Sequence, residues 1–135
     1  HVLRKYRPEV VFTHDQHRLK GFQHRDHRHV GITVRDAVYP YARDHLHFPE
    51  QLADGIEPHK VKQLFFWGAD QPDVIVDVSS SIDKKIVALS KHESQISGLS
   101  FGSGLGIDIR KRCADIAKGY GFEYGEAFRR LIART

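Results

Sequence analysis

The chain has 135 residues, 40% of them hydrophobic and 28% charged, which excludes intrinsic disorder and sets the scale at one domain or a piece of one. Lys and Arg outnumber Asp and Glu by 21 to 17, and the resulting +4 is scattered along the chain, so charge does not mark a nucleic-acid binder. The lone Cys113 excludes an internal disulfide and a Cys-x-x-Cys pair and fits a reducing, cytoplasmic setting, while no apolar run in this portion reaches the roughly 18 residues of a membrane span.

In chain order, His1 to Arg7 reads as the end of a helix, and with no methionine anywhere the start of the protein is expected upstream. Arg7-Pro8 breaks that helix, and Glu9-Val-Val-Phe-Thr13 predicts a short buried strand. His14 to Gln23 is polar and contains Gly21, which predicts a loop. From about Asp26, the apolar residues Val30, Val34, Ala37 and Val38 recur at helical spacing, with Pro40 closing the helix. Residues 43–60, with Pro49, Gly55 and Pro58, read as a long connection.

Lys60 to Trp67 and Asp73 to Val78 predict two more strands, separated by a turn from Gly68 to Pro72. The run Leu64-Phe-Phe-Trp67 reads as a core strand, with Trp67 lining a sugar pocket as the alternative. Ser79 to Ser81 can cap a helix whose inward face is Ile82, Ile86 and Leu89. Ser97 to Gly106 holds four glycines and reads as a loop. Its Gly102-x-Gly104-x-Gly106 lacks both the spacing and the Lys-Ser/Thr of a phosphate-cradling loop. Ile107 to Lys118 predicts a helix with Ile109, Cys113, Ile116 and Ala117 inward, and the tail from Phe122 to Ile132 is expected to end in a further helical turn or two. Strands alternating with helices predict an α/β domain, its mostly parallel sheet flanked by helices on both faces.

The chemistry concentrates in five histidines between residues 14 and 29: His14, His17, His24, His27 and His29. In open α/β sheets ligands sit beyond the carboxyl ends of strands, and this loop leaves such an end at Thr13. His24-x-Asp26-His27 joins two imidazoles to a carboxylate. Neutral imidazole is a zinc ligand, and a carboxylate that accepts the other ring N–H fixes its tautomer. A second histidine can serve as general acid or stabilise an oxyanion. The competing reading of a His-rich loop is a polar, solvated surface, and His14, His17 and His29 taken singly read that way.

Arg7-Pro8-Glu9-Val10-Val11-Phe12-Thr13, then His24-Arg-Asp-His27-Arg28-x-Val30-Gly31, then Asp36-Ala37-Val38, resembles the central signature of the PIG-L/LmbE-like de-N-acetylases. Pro72-Asp73-Val-Ile-Val-Asp77-Val78, Ile82-Asp83-x-Lys85 and Ala88-Leu89-x-x-His92-x-Ser94-Gln95 are similar to the family's next strand and helix. Tyr124-Gly-Glu126-Ala-Phe128 is similar to the tail of bacterial members acting on glucosamine conjugates. The resemblance implies that residues 1–135 are the C-terminal portion of one Rossmann-like, three-layer deacetylase domain. It further implies a Zn2+ cofactor with His27 as ligand, His24 as the acid or oxyanion-stabilising histidine, and Asp26 orienting His24.

Hydrolysis would then proceed by zinc-bound water attacking the acetyl amide of an N-acetylglucosamine conjugate. The family's N-terminal His-Pro-Asp-Asp type motif, source of the other ligands and the general base, has no match here. The remaining partner is therefore expected to be the missing N-terminal segment of the same protein, and relatives suggest a homo-oligomer. The alternative is a non-catalytic binding or assembly module that keeps the fold without a complete metal site.

Overall fold

The structure, a computed structural model, describes residues 1–98 and 104–133. The elements run in the order α1 (Val2–Tyr6), β1 (Val10–His14), α2 (Arg25–Asp36), α3 (Pro49–Ala53), β2 (Gln63–Trp67), β3 (Val74–Asp77), α4 (Ile82–Ser90), α5 (Glu93–Ile96), α6 (Leu105–Ala117) and β4 (Gly125–Ile132). Among the described residues the strands form one sheet in the order β1-β2-β4-β3, β1 parallel and β4 antiparallel to β2. The expected α/β class holds, but the sheet is mixed where a mostly parallel one was expected. The difference comes from the tail, which forms β4 and not a helix. Glu126, Ala127, Arg129 and Leu131 are good helix formers, yet Phe128–Ile132 pairs with Trp67–Gln63, so tertiary pairing overrides local propensity.

The chain divides into two compact units, the first gathering residues 1–74 with the tail from Phe128, the second Ile75–Ala127. In the first, the pleat sends alternate side chains to opposite faces. One face carries Val11, Leu64, Phe66 and Leu131, which join Leu3, Val38 and Val61 in the core. Leu64 and Phe66 are fully buried, and each side chain contributes about 1.5–3 kcal/mol of transfer free energy. The opposite face carries Phe12, Phe65 and Phe128, whose rings lie 5.1 to 5.9 Å apart, with Phe12 still 51% exposed.

Helix α2 differs from its predicted inward face at one place. Val38 is buried and Val34 and Ala37 are half-buried, but Val30 is exposed, and the buried residue in that turn is Gly31. A Cβ at Gly31 would lie 2.5 Å from the carbonyl oxygen of His14 and 3.1 Å from the amide nitrogen of Gln16. The helix therefore approaches the end of β1 more closely than any side chain permits. Pro40 does not simply close α2 either. Ala37–Tyr41 forms a wide turn that contains it, and the break falls at Tyr39 (φ −149°, ψ 121°), because the residue before a proline is driven to extended backbone.

The 43–60 connection contains α3, opened by Pro49 at its first turn. Its start is organised by Arg4, buried in α1, which donates to the carbonyls of Tyr41, Ala42, Asp44, His47 and Phe48 at 2.7 to 3.5 Å.

In the second unit, α4 and α6 pack through Ile82, Ile109 and Cys113, flanked by Ile86, Leu89, Leu105 and Tyr124, as their periodicity predicts. Ser81 stands at the α4 N-cap but makes no capping bond; its hydroxyl donates to the Val78 carbonyl at 3.2 Å. Helix α6 starts at Leu105 behind Gly104 (φ 97°), which puts Gly106 inside the helix and not in the predicted loop. Gly102, the first glycine of that triplet, lies outside the described residues. Glu126 pairs with Lys85, the Arg110 guanidinium sits 5.7 Å from the Tyr124 ring centre, and His92 stands exposed at the start of α5.

Candidate functional site

The parallel pairing of β1 with β2 aligns His14 with Trp67 as the last residues of the two strands. The chain then leaves β1 through residues 15–24 and enters α2, whose second turn passes over the end of β1 at Gly31. His24 is the N-cap of α2: its Nδ1 accepts the Asp26 backbone N–H at 3.2 Å, satisfying one of the open donors of the first turn. Asp26 lies in that turn, where a carboxylate is favoured by the helix dipole.

The three predicted site residues are thus brought together at the strand end. The His24 and His27 ring centres are 5.4 Å apart. The Asp26 Oδ2 stands 3.7 Å from His24 Nδ1, a separation longer than a hydrogen bond. All three side chains are exposed.

His14 differs from its reading as solvated surface. It is half-buried, its ring stacks on that of His27 at 4.0 Å and 9°, and the Trp67 Nε1–H donates to its Nδ1 at 2.8 Å. Burial, then the proximity of His27, pushes the His14 pKa down. Trp67, 38% exposed, is therefore no core residue; its neighbours Leu64 and Phe66 are. His17 and His29 are exposed, as expected.

The loop that carries the site is tied down by two aspartates. Asp15 is 2% exposed, accepts the His17 N–H at 2.9 Å, and forms a two-point ion pair with Arg129, whose guanidinium also lies 4.3 Å from the Phe66 ring centre. Burial raises the Asp15 pKa, but the Arg129 hydrogen bonds, the His17 N–H and the Arg129 charge together outweigh it and hold the carboxyl below its ordinary range. The Asp15 carbonyl accepts from the Gln23 side chain, and Asp70 accepts the backbone N–H groups of Leu19 and Lys20.

Asp15 and Arg129 are not among the residues that the sequence singles out for the site, and Trp67 enters it only as the alternative to a core residue. Asp15 and Trp67 each sit at a strand end, a signal that becomes readable only once the register of β1 on β2 is known.

Catalytic zinc normally takes three protein ligands and keeps one open position. Among the described residues no group of three or more His, Cys, Asp or Glu side chains could hold a metal ion. The exposed His27 imidazole at the strand end is a donor of the kind zinc takes. No helix among the described residues is long and apolar enough to cross a membrane.

No family model matches the chain. It is 33% identical over 94 residues to the diacetylchitobiose deacetylase of Thermococcus kodakarensis, an alignment covering 70% of this chain and 34% of that protein. The chain thus spans about a third of that relative's length. Among solved structures, N,N'-diacetylchitobiose deacetylase from Pyrococcus horikoshii, complexed with an inhibitor, matches with a TM-score of 0.80 and 25% identity over 97% of this chain and 48% of that one. A conserved protein from Thermus thermophilus shares the fold at a TM-score of 0.72 and 24% identity, over 99% and 57% of the respective chains.

Proposed function

We propose that the chain, 33% identical over 94 residues to a diacetylchitobiose deacetylase and carrying PIG-L/LmbE-like motifs, furnishes part of an active site for hydrolytic deacetylation of an N-acetylated sugar. Both units are read as the C-terminal portion of one such domain, working in the cytoplasm. The substrate class is an N-acetylglucosamine conjugate. The observation that carries the reading is the convergence of His24, Asp26 and His27 within the first turn of α2, at the carboxyl end of β1.

In this reading His27 contributes one ligand to a zinc ion whose other ligands come from outside the described residues. His24 would pass a proton to the departing amine or hydrogen-bond the developing oxyanion. Asp26, 3.7 Å away, would orient the His24 imidazole.

The test is acetate release from N,N'-diacetylchitobiose. The chain alone is expected to release none. Combined with a companion segment bearing a His-Pro-Asp-Asp type motif, it should release acetate in a zinc-dependent manner, and His27→Ala should abolish that release. Full activity in the His27→Ala combination, or none in the wild-type combination, overturns the assignment and favours the non-catalytic assembly module.

A further inference from the structure

We propose that His14 is a positioning residue for His27, a role that rests on the deacetylase reading above. Three fixed points define where the His14 ring lies. Its backbone ends β1, with the following N–H, that of Asp15, donating to the Trp67 carbonyl at 3.0 Å. Its carbonyl is covered by Gly31 of α2, at a separation that leaves no room for a Cβ. Its Nδ1 is held by the Trp67 indole N–H at 2.8 Å. Indole nitrogen only donates, so the bonded Nδ1 is an acceptor and the ring proton sits on Nε2. The result is an imidazole of one tautomer and one orientation, set at the end of the sheet.

His27 lies flat against that ring, 4.0 Å away and within 9° of parallel. Its side chain is exposed, and a surface imidazole turns freely about its χ angles unless something restricts it. The His14 ring supplies the restriction. It leaves His27 one plane in which to present its nitrogen, and a ligand held in the right plane binds without first losing that rotational freedom. Trp67 acts one step further back by holding His14.

The test uses long-range ¹H–¹⁵N correlation spectra of the histidine rings in the full chain, which read tautomer and ring environment directly and need neither metal nor turnover. Wild-type His14 should show a protonated Nε2 with an unprotonated Nδ1, and the His27 ring protons should be shifted upfield of those of exposed His29. Trp67→Phe keeps an aromatic ring but removes the N–H; the His14 signature should become a mixture of tautomers. His14→Ala should return the His27 signals to the His29 position, and His14→Phe, which restores a flat ring, should shift them upfield again.

Backbone amide spectra that stay unchanged outside the site show that each variant folds. His27 signals unmoved by His14→Ala overturn the proposal, as does a wild-type His14 averaging between tautomers. A zinc titration of the same samples is read separately. If zinc leaves the His27 signals of the wild-type combination with its companion segment unmoved, the metal reading falls, whatever the stack does.

Discussion

Asp15 and Arg129 stand 114 positions apart and close a two-point ion pair at the root of the histidine loop, with Nε 2.7 Å from Oδ2 and Nη2 3.0 Å from Oδ1. The strand that ends in the candidate site is thereby tied to the last strand of the chain. Arg129 retains 29% of its side-chain exposure while Asp15 has 2%, so Asp15→Asn should destabilise by about 2 kcal/mol, less than the roughly 3–5 kcal/mol of fully buried pairs.

The same pair fixes a pH dependence. Asp15 ionises more readily in the folded than in the unfolded chain, so its contribution is present at neutral pH. It is lost as pH falls below the ordinary aspartate value of about 3.9 toward the lower folded one. Urea melts of wild type and Asp15→Asn should therefore differ at pH 7 and converge below about pH 4. A gap that stays constant with pH would falsify the assignment.

Gly31→Ala tests the close approach of α2 to β1. Alanine gains about 1 kcal/mol in helix propensity over glycine. Here, however, the new Cβ meets the backbone oxygen of His14, which cannot rotate away as a side chain would. We expect the clash to win, with a net loss of about 1–2 kcal/mol, seen as a lower Tm. A higher Tm contradicts the geometry.

His24→Ala combines two effects that His24→Asn separates. Loss of the N-cap costs α2 about 1 kcal/mol, whereas loss of a proton-transferring imidazole lowers kcat by roughly 100- to 10,000-fold. Asparagine restores the cap but not the proton transfer. In the combination with the companion segment, His24→Asn should melt near wild type and stay inactive.

Much of the architecture was legible because periodicity and burial agree: β1, β2, α4 and α6 fall within two or three residues of their predicted positions, and Ile82, Ile109, Cys113 and Ala117 are buried as predicted. The grouping of His24, Asp26 and His27 was also legible, since three residues within four positions at a helix start cannot be far apart. What depends on distant pairing was not. The tail reads as helix by composition until β2 offers it a partner, and the roles of His14 and Trp67 exist only in the parallel register that sets them side by side. Val30 was read as inward because it is apolar, when contact at that turn belongs to the residue with no side chain.

Cys113 offers a check on the second unit alone. Its burial between α4 and α6 pushes the thiol pKa up, which lowers the thiolate fraction and blocks access. Iodoacetamide at pH 8 should modify native Cys113 roughly tenfold or more slowly than the urea-unfolded chain. Equal rates would mean that α6 does not stay docked.

Arg4→Met removes the donor shared by the carbonyls that begin the 43–60 connection. Stranding those acceptors should cost about 2–3 kcal/mol and speed amide exchange over residues 42–48. Arg4→Lys should recover little, because a compact ammonium cannot span the carbonyls that the forked guanidinium reaches.

That fork does for residues 41–48 what a bound calcium ion does in loops that gather carbonyl oxygens around a cation. Here the cation is covalently part of the chain and cannot be lost to a chelator. Stripping metal with EDTA would therefore leave these guanidinium bonds in place.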